Sequence, residues 1–389
     1  MKRVFLIVLD SFGVGAQQDA ASFGDVGANT LLAITKSRFL RVPFMQKLGL
    51  FNLDGVTCGE AVSAPEGSFA RLRENSKGKD TTVGHWEIAG VVSEKPLPTF
   101  PDGFPEDLIH EFEKQTGHKV ICNKPYSGTK VLEDYGEQSI RENALIVYTS
   151  ADSVFQVAAH ENVVPVGDLY RYCDIARKLC TGPWGVGRVI ARPFLGDDRS
   201  TFYRTPRRHD VSLTPPSPTM LDYLSNAGKD VIAVGKIKDI FAGQGITESI
   251  KTTGNTNGID FSKALLTREF EGLAFINLVD FDMLYGHRRD VNGYAKAATE
   301  FDEFLSEFLP RLQDDDIVMI TGDHGCDPSF TKSTDHTREY VPLLVYGKSV
   351  KKNNNLGTVD GFCCIAKTIC DYFAIPNNLE GTSLANCIF

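Results

Sequence analysis

The sequence predicts an α/β fold: a mostly parallel central sheet flanked by helices, with a second α/β domain inserted into it. Three observations carry this. Apolar runs of strand character alternate with helical patterns, the order expected of a parallel sheet. Three of those runs stop abruptly at acids: Val4–Leu9 at Asp10, Phe275–Val279 at Asp280 and Asp282, and the run from Ile317 at Asp323 and His324. Two proline-rich segments, Lys95–Pro101 and Leu213–Pro218, interrupt the alternation and mark boundaries. They assign residues 1–95 and 214–389 to a discontinuous core and 96–213 to an inserted cap. Ligands of open parallel sheets bind outside the carboxyl ends of the strands, so the three acid-bearing ends can meet at one site.

Residues 3–9 form the first strand. Gly13 and Gly15 follow as G-x-G, but Gln18 stands at the third glycine position, which speaks against a dinucleotide site. A helix at Pro43–Leu48 and a strand at Phe69–Arg73 lead to Lys79-Asp80-Thr81-Thr82-Val83-Gly84-His85-Trp86-Glu87. A hydroxyl residue between a polar loop and a helical pattern is one way to hold a nucleophile where free N–H groups favour phosphate. A plain helix cap at Thr81 or Thr82 is the alternative.

In the insertion, helices are expected at Pro105–Gln115, stopped by Gly117, and at Asp168–Leu179. Strands are expected at Lys119–Cys122, Ala144–Tyr148 and Val186–Arg192. Its polar points are Ser150, Asp152 and Ser153, then Arg188 and Arg192, then Arg204, Arg207, Arg208 and His209. Arginines at that density suit bidentate phosphate binding or a solvated basic face. Beyond the second boundary come a helix at Thr219–Asn226, a strand at Val231–Val234 ahead of Gly235-Lys236, and a helix at Ser262–Glu271. The acid-bearing strand Leu273–Val279 follows, then an amphipathic helix at Tyr294–Leu312 with Phe301, Phe304, Leu305 and Phe308 on its apolar face. A strand at Val341–Val345 and a helix at Phe362–Phe373 close the series.

Composition narrows the function. A length of 389 residues suggests two domains, and 42% hydrophobic with 23% charged residues is ordinary for a globular chain. No apolar stretch reaches the roughly 18 residues that span a bilayer, and the first strand is too short for a signal peptide. Nine cysteines without a C-x-x-C pair read as reduced thiols in a cytoplasmic protein. A net charge of −9 opposes nucleic-acid binding. No membrane association and no obligate protein partner is expected.

Carboxylate oxygens grouped with imidazole nitrogens suit a divalent metal such as zinc, manganese or iron. An Asp after a strand is often only a cap, and a lone His is usually structural. Here His287, His324 and His336, three of eight histidines, follow the acid-bearing ends, with Asp335 beside His336. That coincidence favours a metal centre over three separate caps.

Several longer stretches are more specific. They are Leu9-Asp10-Ser11-Phe-Gly13-Val-Gly15, Lys79–Glu87, Tyr148-Thr-Ser-Ala-Asp152-Ser153, Gly187-Arg188-Val-Ile-Ala-Arg192-Pro-Phe, Asn277–Asp282 with Gly286–Asp290, and Asp335-His336-Thr-Arg-Glu-Tyr340. Through them the chain resembles, over nearly its whole length, the phosphopentomutases, a family of the alkaline phosphatase-like metalloenzymes. The resemblance implies an alkaline phosphatase-like core and an isomerase that interconverts ribose 1-phosphate and ribose 5-phosphate, and their 2-deoxyribose equivalents. It implies a phosphothreonine at Thr81 and two manganese ions. One would be held by Asp10, Asp323, His324 and Thr81, the other by Asp282, His287 and His336. Ser150 and Asp152 would contact the sugar, and Arg188, Arg204 and Lys236 the phosphate. A sugar bisphosphate, glucose 1,6-bisphosphate or ribose 1,5-bisphosphate, would activate. The doubled Thr81-Thr82, and Gly322 and Cys326 around Asp323-His324-Gly325, depart from the family pattern without removing a ligand. Rival readings are a metal-dependent phosphoglycerate mutase, a phosphatase or sulfatase, and a non-catalytic sugar-phosphate-binding protein.

Overall fold

The computed structural model describes residues 1–150 and 152–389, so Ala151 in the Ser150–Ser153 stretch lies outside the description. The chain forms two compact units, Met1–Pro96 with Pro215–Phe389, and Leu97–Thr214. Among the described residues the strands are, in chain order, β1 Arg3–Leu9, β2 Ser68–Arg73, β3 Val120–Pro125, β4 Leu145–Thr149, β5 Val154–His160, β6 Arg188–Leu195, β7 Tyr203–Arg204, β8 His209–Ser212, β9 Asp230–Val234, β10 Glu248–Ile250, β11 Gly272–Leu278, β12 Asp316–Thr321, β13 Val341–Tyr346 and β14 Asn354–Asp360.

In the first unit the described strands form one sheet in the order β10-β9-β11-β1-β12-β13-β2-β14. β10, β9, β11, β1 and β12 run parallel, and β13 is antiparallel to both neighbours. β1, β11 and β12 are buried along their whole length. Layers on both faces account for their near-continuous apolar sequences. Part of one layer is the helix Val291–Phe308, whose Phe308 meets Phe5 of β1 edge-on at 5.2 Å between ring centroids.

Register positions the site. Leu9 of β1 lies opposite Leu278 of β11, and Val8 opposite Thr321 of β12. The residues that follow all three strands therefore emerge at one level. At the other end Arg3 clamps β12: its Nε and Nη2 donate to the Asp316 carboxylate at 2.8 and 2.6 Å, with both side chains buried.

Some expectations shift. The helix expected at Ser262–Glu271 is instead Asn255–Leu265. A long-range pair fixes its start: the Asn255 backbone N–H donates to Asp280 at 2.7 Å, and the Asn255 side chain accepts from Asp280 N at 2.9 Å. Asn, Thr and Gly258 are weak helix formers, so local propensity concealed that first turn. Tyr294–Leu312 becomes Val291–Phe308, capped by Asp290 accepting from Gly293 N at 2.8 Å, with a 3₁₀ turn at Leu309–Arg311.

The second unit has a sheet in the order β3-β4-β5-β6-β7, with β8 also paired to β6. Its helices include Glu106–Thr116, ended by Gly117 in the left-handed conformation, and Val166–Leu179. Strand β5 and the helix Lys130–Glu142 have no counterpart in the sequence reading. The helix hides behind Gly136, a helix-weakening residue. A Cβ there would lie 2.5 Å from the Phe202 ring, so close packing requires the glycine.

Among the described residues no helix is long and apolar enough to cross a membrane. The nine cysteines are free thiols.

Candidate metal centre

Asp10, Asp323 and His324 form one cluster, and Asp282, His287 and His336 another. Within each, the candidate ligand atoms lie within 4.8 Å of one another. The His324 and His336 rings stack at 3.9 Å and join the two.

The first cluster follows from β1 and β12. Asp10 directly follows β1, and Asp323 lies one residue past Gly322 at the end of β12. Ser11 takes a left-handed φ of 71° after Asp10, and its backbone N–H donates to Asp323 Oδ1 at 2.9 Å. Non-glycine residues rarely adopt that conformation, and such backbone strain collects at functional sites. Asn277 of β11 donates to Asp10 Oδ2 at 2.8 Å. Asp10 Oδ1 and Asp323 Oδ2 are left buried with no hydrogen-bond partner.

The second cluster depends on a π-helical turn, Phe281–Gly286. His287 N donates to Asp282 O at 3.1 Å, the i to i+5 bond of that geometry. Residues five apart thus share a face, and His287 Nε2 approaches Asp282 Oδ2 to 3.2 Å. His336 arrives from the loop after β12, with Nε2 3.5 Å from Asp282 Oδ1. That oxygen too is buried without a hydrogen-bond partner.

The imidazoles are aimed from behind. Nδ1 of His287, His324 and His336 pairs with the carbonyls of Thr334, Gly325 and Lys79 at 2.6, 3.1 and 3.0 Å. A ring that donates Nδ1–H to a carbonyl turns the Nε2 lone pair toward a metal. Carboxylate oxygens free on one side and imidazoles tethered on the other fit a divalent cation in each cluster.

Charge tells the same story. Burial, then the Asp323 and Asp282 charges, push Asp10 up to about 6. Hydrogen bonds that the His287 ring donates to Asp282, then to Cys326, push His287 up to about 12. Burial disfavours charge on His324, but Asp323 foremost, with Asp282 and Asp10, lifts it well above the usual histidine value. Burial likewise opposes ionised Asp282, yet His336, His287 and His324 hold it well below the usual carboxylate range. The grouped acids thus favour positive charge at both clusters, which a divalent cation would bring.

Thr81 opens the helix Thr81–Ile88, where Asp80 caps by accepting from Val83 N at 3.1 Å. Thr81 Oγ1 lies 3.1 Å from His324 Nε2. Gly84 lets this helix reach the end of β12: a Cβ there would lie 2.2 Å from Asp323 O. Asp280 and Asp335 stay outside both clusters. Asp280 pairs with Asn255, and Asp335 is exposed, 3.8 Å from Lys79 Nζ.

Four of the remaining predicted residues lie in the second unit. Ser150 and Asp152 adjoin, Asp152 N donating to Ser150 Oγ at 3.3 Å. Arg188 opens β6, 3.8 Å from Asp210, whereas Arg204 of β7 donates to Thr129 Oγ1 at 3.1 Å. Arg204 pairs with Phe194, six residues along β6 from Arg188, so the two backbones lie about 20 Å apart. Lys236 follows β9 in the first unit and is half-buried.

Sequence reasoning gave no role to Asn277 or His85. His85 is buried, with Nδ1 2.9 Å from Thr81 O and 3.1 Å from Asp323 Oδ2, and Nε2 3.3 Å from Asn277 Nδ2. The available signal was a polar Asn inside an apolar strand and a His four residues after Thr81.

Comparison with known proteins gives a consistent answer. The metalloenzyme superfamily pattern matches residues 2–377. The chain is 60% identical over 390 residues to the phosphopentomutase of Lachnoclostridium phytofermentans, covering all of both chains. It is 53% identical over 389 residues to that of Acetivibrio thermocellus, again covering all of both. Among solved structures, a phosphoglycerate mutase from Leishmania mexicana shares the fold at a TM-score of 0.50 and 12% identity, with 100% of this chain and 98% of that one covered. With two carboxylate–imidazole clusters at the ends of a parallel sheet and that identity over its full length, the chain belongs to the phosphopentomutase family of the metalloenzyme superfamily.

Proposed function

We propose that this chain interconverts ribose 1-phosphate and ribose 5-phosphate, and the 2-deoxyribose equivalents, through a phosphothreonine at Thr81. The observation that carries the reading is Thr81 Oγ1 at 3.1 Å from His324, at the start of a helix and beside the Asp10–Asp323–His324 cluster. The family membership supports the substrate class.

The two hydroxyls of a pentose are too far apart for one direct transfer, so the enzyme carries the phosphate between them. Phosphothreonine 81 gives its phosphoryl group to the C5 hydroxyl of ribose 1-phosphate. That leaves ribose 1,5-bisphosphate and a free Thr81 hydroxyl. The bisphosphate then presents its C1 phosphate, Thr81 accepts it, and ribose 5-phosphate leaves. A sugar bisphosphate, ribose 1,5-bisphosphate or glucose 1,6-bisphosphate, primes the first cycle by the same transfer.

Asp10, Asp323 and His324 with Thr81 would hold one divalent cation and Asp282, His287 and His336 another, manganese in this reading, and these would supply positive charge that makes a threonine hydroxyl a competent nucleophile and offsets charge on the transferring group. The chain's own contribution is placement. Asp80 fixes the helix start, whose dipole favours negative charge at Thr81. Ser11 and Asn277 fix the Asp323 and Asp10 carboxylates. Arg188, Arg204 and Lys236 are assigned to the substrate phosphates, where guanidinium and ammonium groups suit a dianion. Ser150 and Asp152 are assigned to the sugar hydroxyls. The free thiols support a reducing, cytoplasmic setting.

Phosphorus NMR tests the reading. The chain with manganese, ribose 1-phosphate and a trace of ribose 1,5-bisphosphate should yield ribose 5-phosphate, and Thr81→Ala should not. Free phosphate as the main product would make the chain a phosphatase. Turnover of phosphoglycerate alone would favour the phosphoglycerate mutase reading.

A further inference from the structure

We propose that Arg338 is a positioning residue that holds the loop before Thr81 in the geometry needed for phosphate transfer, with Asp25 as its partner. The inference rests on the reading of Thr81 as the phosphate carrier.

Arg338 is buried, and every N–H of its guanidinium is used. Nε and Nη2 donate to the Asp19 carboxylate at 3.0–3.2 Å. Nη1 donates to Glu74 Oε2 at 2.6 Å and Gly78 O at 2.7 Å, and Nη2 to Glu74 O at 2.9 Å. Two of these acceptors are backbone carbonyls of the segment that runs from the end of β2 to Thr81. Gly78 stands three residues before Thr81.

A second set of bonds grips the same segment. Asp25 Oδ2 accepts from Arg338 N at 2.9 Å and from Lys79 Nζ at 3.0 Å. Lys79 O pairs with His336 Nδ1 at 3.0 Å. The loop carrying His336 and Arg338 and the loop carrying Lys79 and Thr81 are thus bolted together at Gly78, Lys79 and Asp25. A planar fork with five fixed donors makes the Asp19, Glu74 and Gly78 contacts at once, whereas a lysine ammonium offers three donors from one point. The fork touches neither cluster, so its effect must pass through the loop.

The test is single-turnover phosphorylation of the manganese-loaded protein by ribose 1,5-bisphosphate, followed by mass spectrometry of the Thr81 peptide. Arg338→Lys keeps the charge and loses the fork. Its rate constant for phosphate transfer should fall tenfold or more, while KM for ribose 1-phosphate stays within twofold. Asp25→Asn, of the same shape, should fall about threefold or more with the same KM, and it decides the matter if Arg338→Lys does not fold. A merely structural role would lower the melting temperature and the reactive fraction but leave the rate constant of the folded fraction unchanged. That result, or a KM rising as much as kcat falls, would overturn the inference. A parent protein that takes no phosphate on Thr81 would instead overturn the Thr81 reading on which it rests.

Discussion

His287 and His336 face each other with their Nε2 atoms 3.1 Å apart, each ring tied at Nδ1 to a backbone carbonyl. Two neutral rings held this way turn lone pair against lone pair, and two protonated rings turn charge against charge. A single proton donated by one ring to the other's lone pair relieves both conflicts, and a cation held by the two lone pairs would take that proton's place.

Metal uptake should therefore release protons. In the metal-free protein the acids raise His287 and His324, so a cation must displace protons from those rings. Affinity for manganese should rise with pH, about tenfold per pH unit for each proton released. Below about pH 6 the fall steepens, because Asp10 also takes a proton there. Titration calorimetry in two buffers of different ionisation enthalpy measures the protons; equal heats in both would contradict the prediction.

Thr81 and its neighbour Thr82 should behave differently. Thr82→Ala should keep mutase activity within about threefold and still take phosphate on residue 81. Peptide mass spectrometry after exposure to ribose 1,5-bisphosphate distinguishes the two positions. Phosphate on Thr82 in the unaltered chain would reassign the carrier.

Gly84→Ala places a methyl group 2.2 Å from Asp323 O. That oxygen is backbone at the end of a buried strand and has little room to yield, so the Thr81–Ile88 helix must move. Overpacking of this kind costs about 1–3 kcal/mol. The displacement of Thr81 from His324 should lower kcat tenfold or more. Denaturant melts and steady-state kinetics on the same sample report both effects.

Arg3→Met should do the opposite, harming stability and sparing chemistry. It leaves the buried Asp316 carboxylate, which Arg3 now meets at 2.6 Å, with the Gln313 backbone N–H at 2.7 Å and no countercharge. Breaking one side of such a pair costs about 3–5 kcal/mol. The melting temperature should drop, with kcat unchanged well below it. Unaltered stability would show that water or another donor satisfies Asp316.

The acid-bearing strand ends were legible because buried parallel strands are written as unbroken apolar runs, so Asp10, Asp282 and Asp323 stand out where the runs stop. The histidines were legible by proximity to those acids. What aims them was not. The carbonyls behind His287 and His336 belong to Thr334 and Lys79, and only tertiary packing brings them there. The use of Asn277 depends on the β1–β11 register, and that of His85 on the docking of its helix against β12. The spacing of Asp282 and His287 fits no α-helical face and makes sense only once the π turn is seen. Asn255–Leu265 was misplaced because a contact with Asp280 outweighs its weak local propensity, and Lys130–Glu142 was missed because Gly136 serves packing rather than helix formation.

Strand β1 lies between β11 and β12, and that placement sets a timetable for synthesis. Both of its neighbours come from the last third of the chain. A ribosome adding 5–20 residues per second needs on the order of half a minute to travel from Leu9 to Gly272. Throughout that interval one of the most apolar segments of the protein has neither partner. Nascent chains should therefore depend on a holding chaperone until β11 emerges, and the Leu97–Thr214 unit, with a sheet and core of its own, should be complete while the first strand still waits.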